Sequence, residues 1–204
     1  MQRILSVFSA SSTQDLASLA SAKANLRITT PDLDTSIQAW ISRASAAIAS
    51  ACDRVFGLET VIETFFVSRE LESLPLARYP ISNISSLTID GGTTESATDY
   101  VADKSSGVLL RLSSGAMSTW CGERVEVAYS GGYSLSSGAP RDLEQACLLM
   151  VSYAYSYSRR DVLAKRIEVP DVQSVDYWVG GVGRGGELPP DVLSLISPYR
   201  RLSC

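Results

Sequence analysis

The stretch "VGGVGRGGELPP", residues 179–190, places Gly180, Gly181, Gly183, Gly185 and Gly186 within seven positions. Gly181, Gly183 and Gly186 match the spacing G-x-G-x-x-G, which in a dinucleotide site lets backbone N–H groups at a helix start approach a pyrophosphate. That chemistry needs a strand leading in and free N–H groups leading out. Here Pro189 and Pro190 open the next element without N–H groups, Glu187 has the wrong charge, and no Lys-Ser or Lys-Thr closes a phosphate loop. The segment therefore reads as a flexible hinge, and a small nucleotide-binding enzyme stays only as an alternative function.

The remaining reactive side chains are sparse. The chain has no histidine, which removes the usual neutral-pH general base, the His-based nucleophile triads and His-containing zinc sites. Asp99 with Asp103 and Asp171 with Asp176 are pairs of the kind acid–base catalysis uses. Neither pair lies beside a pocket signal, and solvated turns or strand edges are the ordinary reading. Cys121 in "TWCGER" has Arg124 nearby to favour a thiolate but lacks a base. Cys52, Cys121, Cys147 and Cys204 are far apart and never form CxxC, so free thiols are expected, with Cys52 and Cys147 facing inward on helices. No catalytic, cofactor or metal residue emerges, and the expectation is a protein that is not an enzyme and has no cofactor.

With 204 residues, 45% hydrophobic and 20% charged, the chain is long enough for one core, or one core with a satellite. A net charge of -4 argues against gripping phosphate backbones, so a protein partner is expected ahead of nucleic acid. The opening "MQRILSVFSASS" is too short and too broken for a secretory segment and reads as a strand or arm. No apolar run reaches the roughly 18 residues that span a bilayer, which predicts an intracellular product with no membrane partner.

Periodicity predicts the elements that would position these residues. Leu16, Leu19 and Leu26 mark a first helix over 14–26, capped by Ser12 or Thr13. A second helix opens near Pro31, runs to about Phe56 on the stripe Ile37, Trp40, Ile41, Ala44, Ile48, Ala51 and Val55, and stops at Gly57. Between 60 and 133 the period becomes two: "TVIETFFVS", "ISSLTIDGG", "DYVAD", "GVLLRL" and "RVEVAYSGGY" predict a small antiparallel sheet, with "DGG" at 90–92 as a turn. A third helix in "APRDLEQACLLMVSYAYSYSRRD" buries Leu143, Ala146, Cys147, Met150, Val151 and Ala154, and sets Tyr153 and Tyr157 on one face. After residue 160 come one or two short extended segments.

Beyond the glycines, Val192, Leu195, Ile196 and Tyr199 recur at i, i+3, i+4 and i+7, one face of a helix about two turns long before Pro198. So short a helix cannot hold its shape in water and must dock. The expected architecture is α+β: a small helical bundle with an inserted antiparallel β subdomain and an extended C-terminal docking tail. Its parts are 1–58 (helical), 59–133 (β insertion), 134–162 (third helix completing the bundle) and 163–204 (tail with hinge and docking helix).

This order resembles the head-tail connector, or adaptor, proteins of tailed bacteriophages. The resemblance rests on "LASLASAKANLRITTPDLDTSIQAWISRASAAIASACDRVFG", "LARYPISNISSLTIDG", "VEVAYSGGY", "APRDLEQACLLMVSYAYSYSRRD" and "LPPDVLSLISPYRR". It implies a homo-oligomeric ring of about twelve subunits in the virion neck, between the portal and a downstream neck or tail-completion protein. The ring would be assembled in the host cytoplasm, would extend the DNA channel and would let viral DNA pass without gripping it. Another neck component, a stopper or tail-completion protein, is the alternative. Carried onto this sequence, the tail match names Leu188, Val192, Leu195, Ile196, Tyr199 and Arg200 as portal-docking residues. The ring it implies would pack neighbouring subunits through the small residues Ala44 and Ala47 and through Tyr153 and Tyr157.

Overall fold

The computed structural model describes residues 2–135, 138–159, 166–169, 173–176 and 188–201. The fold is α+β and divides into two compact units, Met1–Gln14 with Arg54–Ser137, and Asp15–Asp53 with Gly138–Cys204. The first boundary differs from the 1–58 read from the sequence. Residues up to 14 belong with the β unit, because the opening segment is a strand that pairs with a strand more than fifty residues later.

In the β unit, β1 (Gln2–Ser9), β2 (Glu59–Phe66), β4 (Ile81–Ile89) and β8 (Arg124–Gly131) form an antiparallel sheet in the order β1-β2-β8-β4. A second sheet joins β3 (Ser73–Pro75), β6 (Val108–Ser113) and β5 (Tyr100–Asp103), and β7 (Ala116–Ser118) also pairs with β6. The five runs of period two are all strands. β3 and β7 were not foreseen, since three residues are too few to display an alternation. Val125, Val127 and Tyr129 on β8 are fully buried, as their alternation requires. They share a core with Val61 and Phe65 of β2, with Leu74 and Leu109 from the second sheet, and with Trp120 just beyond β7. The Trp120 indole N–H donates to the Leu109 carbonyl at 3.3 Å, so the largest buried ring leaves no polar atom stranded.

Two turns explain their sequences. Asp90 (φ 52°) and Gly91 (φ 71°) take the left-handed conformations that "DGG" suggested. Where β8 ends, a Cβ on Gly131 would run into the Arg78 carbonyl, and Gly132 has φ 114°, so both positions exclude larger residues.

The helical unit contains α1 (Leu19–Leu26), α2 (Asp34–Cys52), α3 (Arg141–Ser158) and α4 (Pro190–Ile196). α3 packs on α1, α2 and α4. α1 starts later than expected because Ser18, not Ser12 or Thr13, is the cap: its hydroxyl accepts from the Ser21 N–H at 3.0 Å. Pro31 likewise precedes α2 and does not open it; its carbonyl accepts from the Asp34 N–H in a turn. α2 stops at Asp53, which adopts φ 50° and donates its N–H to Ala49 and Ser50 carbonyls. Gly57 serves a different purpose within the β unit, where a Cβ would lie 2.7 Å from the Ser11 Cβ.

α2 buries Ile37, Ile41, Ala44, Ser45, Ile48 and Cys52, and α3 buries Leu143, Ala146, Cys147 and Val151. Trp40, expected on the inner stripe, is half-buried and meets Tyr155 edge to face with 6.3 Å between ring centroids. Between α3 and α4, β9 (Arg166–Val169) and β10 (Gln173–Asp176) form an antiparallel hairpin, the short extended segments anticipated there.

Candidate functional site

The C-terminal segment was expected to carry recognition, and its local structure follows from its residues. Pro189 occupies the cap position and Pro190 opens α4 with a pre-set φ. Two N–H groups that a phosphate cradle would use are thus missing, in keeping with the sequence argument. Pro198 converts the end of the helix into a 3-10 turn over Ser197–Tyr199. Asp191 accepts from the Val192 N–H at 2.9 Å and from the Tyr153 hydroxyl of α3, a bond that holds the Tyr153 phenol above its ordinary pKa.

The seven-residue helix does dock, and the surface it docks on is α3 of its own unit. Val192 and Ile196 are fully covered there, each contributing about 1.5–3 kcal/mol by burial. The Arg201 N–H donates to the Cys52 carbonyl at 2.9 Å, tying the tail to the end of α2. Of the six residues expected to dock on the portal, Val192 and Ile196 are covered by their own chain. In this conformation Val192 and Ile196 have no surface left for another polypeptide. Leu188, Leu195 and Tyr199 are half-buried and Arg200 is exposed, so the outer side of the segment remains available. The hinge residues Gly180, Gly181, Gly183, Gly185 and Gly186 lie outside the described residues.

The four residues expected between subunits separate similarly. Ala44 is 4% exposed, part of the buried stripe of α2, and offers a neighbour nothing. Ala47 and Tyr157 are half-buried, and Tyr153 is 42% exposed with its hydroxyl already engaged by Asp191.

The candidate chemistry resolves into local structure. Asp99 accepts from the Ser96 N–H at 3.2 Å. The Asp103 carboxylate accepts from the Ser105 and Ser106 hydroxyls at 2.6 and 2.7 Å, bonds that hold its pKa down at about 2. Both close exposed turns, and the Asp103 shift runs away from neutral pH. Asp171 and Cys204 lie outside the described residues, as does the side chain of Asp176. The partner of exposed Cys121 is Arg111, whose Nη1 is 3.0 Å from the sulfur, and not Arg124. Cys52 and Cys147 are buried free thiols as expected, and burial pushes Cys147 up to about 11. Among the described residues no cluster could hold a metal ion, and no helix is long and apolar enough to cross a membrane.

One polar constellation was missed. Glu63 on β2 is fully buried, and its Oε2 accepts from the Tyr129 hydroxyl at 2.8 Å and the Ala77 N–H at 3.0 Å. The Arg3 guanidinium of β1 lies 3.1 Å from its other oxygen, supplying opposite charge without an aligned hydrogen bond. Burial, and then the Glu63 charge, raise the Tyr129 phenol above its usual pKa. Glu59, four positions away on the same face, accepts from Arg78 Nε at 2.7 Å and from the Gln14 amide at 3.4 Å. The signal was present in the sequence: Glu59 and Glu63 alternate in phase with Val61 and Phe65, the core side of β2. The cluster ties β2 to β1, β8 and the Ala77–Arg78 segment.

A family model of head completion proteins matches residues 15–202. No curated protein matches the chain. Among solved structures, one chain in the neck of an empty GTA particle, computed with C6 symmetry, aligns with a TM-score of 0.60 at 21% identity, covering 98% of this chain and 97% of that one. A chain in the neck of a native GTA particle with C12 symmetry gives 0.57 at 21% identity over the same shares. One from the virion of a native gene transfer agent particle gives 0.59 at 19% identity, again over 98% and 97%. At these identities the likeness is one of fold, extending over nearly the whole chain.

Proposed function

The chain belongs to the head completion protein family, and from that premise we propose that it is a structural, non-enzymatic component of the virion neck. Its role is that of a head-tail connector, a ring of subunits beneath the portal that continues the DNA channel and receives the next neck or tail-completion protein. The observation that carries this reading is the family match over residues 15–202, to which the neck setting and the C12 and C6 symmetry of the fold neighbours add support. A net charge of -4 suits a wall past which DNA slides without being held.

The described geometry refines how such a protein would meet the portal. With Val192 and Ile196 committed to the helical unit, the contact would fall to Leu188, Leu195, Tyr199 and Arg200 on the outer side of the segment. Native mass spectrometry of the chain mixed with portal protein is expected to show a ring on the portal. A strictly monomeric chain that ignores portal would defeat the reading. Deleting residues 188–204 would also uncover α3, so the sharper variant is Leu195→Asp combined with Arg200→Glu. Loss of portal attachment with an unchanged melting temperature supports the connector role, whereas full attachment shifts the assignment to a stopper or tail-completion component.

A further inference from the structure

The four-stranded sheet of the β unit has two edges of different character. On β4, register shifts at Ile81/Asn83 and Ile84/Ser86 and a bridge from Thr88 to Thr94 blunt the edge. Among the described residues β1 pairs on one side only, through β2, and its regular ladder runs from Gln2 to Val7 before a register shift. Along it Ile4, Val7 and Phe8 are 51%, 46% and 83% exposed. A long apolar edge with unpaired N–H and C=O groups is a template for strand addition, and soluble proteins cover such edges. The Arg3–Glu63 ion pair holds β1 in place, so the edge stays presented.

A second feature lacks what this edge offers. The β9–β10 hairpin has four residues per strand, and among the described residues its strands pair only with each other. Two strands alone are marginal in water, and a third is needed for stability. In sequence, residues 159–165 separate α3 from β9, and residues 177–189 separate β10 from α4. Fully extended, those links reach at most about 25 Å and about 45 Å. Even the shorter reach exceeds the roughly 10–12 Å breadth of a helix. The second link contains the glycine run that no other part of the fold explains.

On the premise of the ring proposed above, we infer that the β9–β10 hairpin of one copy adds to the β1 edge of the next. Two different surfaces meet in each contact, the head-to-tail arrangement that closes into a ring. The four residues of a hairpin strand fit within the regular stretch Gln2–Val7, and the addition would cover Ile4 and Val7.

The test uses two co-expressed full-length forms, both with Cys121→Ser and Cys204→Ser, one carrying Ser6→Cys on β1 and the other Ser174→Cys on β10. Rings isolated alone or on the portal are checked by native mass, treated with a short bis-maleimide, and weighed after denaturation. The expected result is a shift of chains into a covalent pair containing one of each form. In a companion variant, a glycine-serine linker of equal length replaces residues 166–176; it is expected to lose the ring while its melting temperature is unchanged. An intact ring without the mixed pair, a Ser174→Cys crosslink to portal instead, or normal assembly by the linker variant overturns this inference alone. Absence of any ring, with or without portal, overturns the ring reading and the inference with it.

Discussion

The two units solve the same problem with different chemistry. The helical unit packs Ile37, Ile41, Ile48, Leu143 and Val151 into an apolar core, in which Ser45 is the one buried polar side chain among the described residues. Its hydroxyl accepts from the Leu16 N–H at 2.9 Å and lies 3.6 Å from the Cys147 sulfur. The β unit instead places two carboxylates on the core face of β2 and surrounds them with Arg3, Arg78, Tyr129 and backbone donors. Apolar packing is forgiving of small shape changes, whereas a buried charge depends on each of its partners. The β unit should accordingly fail abruptly when one polar partner is removed, and the helical unit by degrees.

The largest effect expected from this contrast is in Glu63→Ala. It leaves the Tyr129 hydroxyl and Ala77 N–H without their acceptor and Arg3 without its counter-charge, for a loss of about 3–5 kcal/mol in urea unfolding. Glu63→Gln retains an acceptor for both donors and should lose clearly less; equal losses would show that shape, not hydrogen bonding, governs the site. Next comes Ser45→Ala, which strands the buried Leu16 N–H at about 1–3 kcal/mol. A change near zero there would mean that the hydroxyl is dispensable and the helical core purely apolar.

The smallest effects are in titration. The Cys147 thiol, pushed up to about 11 by burial from an ordinary value near 9, binds its proton more tightly folded than unfolded. Its contribution to stability is complete below pH 9 and is lost as pH rises from there through about 11. Ser45 lowers that pKa, so Ser45→Ala should move it further up, read by thiolate absorbance. In the β unit, Asp103 runs the opposite way. Its pKa of about 2 lies below the ordinary 3.8, so its contribution is present above pH 4 and disappears as pH falls toward 2. Ser105→Ala should return the carboxyl toward its ordinary value in an NMR titration.

Much of the fold was legible because its signals are local. The stripe of Ile37, Ile41, Ala44 and Ile48 and the alternation of Val125, Val127 and Tyr129 are properties of ten or so consecutive residues, and they determined helix and strand correctly. Cap positions were read less well. Ser12, Thr13 and Ser18 are all competent caps, and which one is used depends on where the chain enters the unit. The candidate site was legible in part: the spacing of Val192 and Ile196 marks the buried face of α4, whereas the α3 surface that covers it here has no signal in the segment itself.

Residue order alone thus determined the longer elements, most of their buried faces, the lack of histidine chemistry and the need of a two-turn helix for a surface to lie on. Only the tertiary structure decided that α3 of the same unit is that surface, that β1 joins a strand far along the chain, and that Glu63 is buried beneath Arg3 and Tyr129. The reason is physical. Periodicity records that a face avoids water, but an apolar face or a strand edge is indifferent to which chemically suitable partner covers it, and that choice is made by contacts between residues distant in sequence.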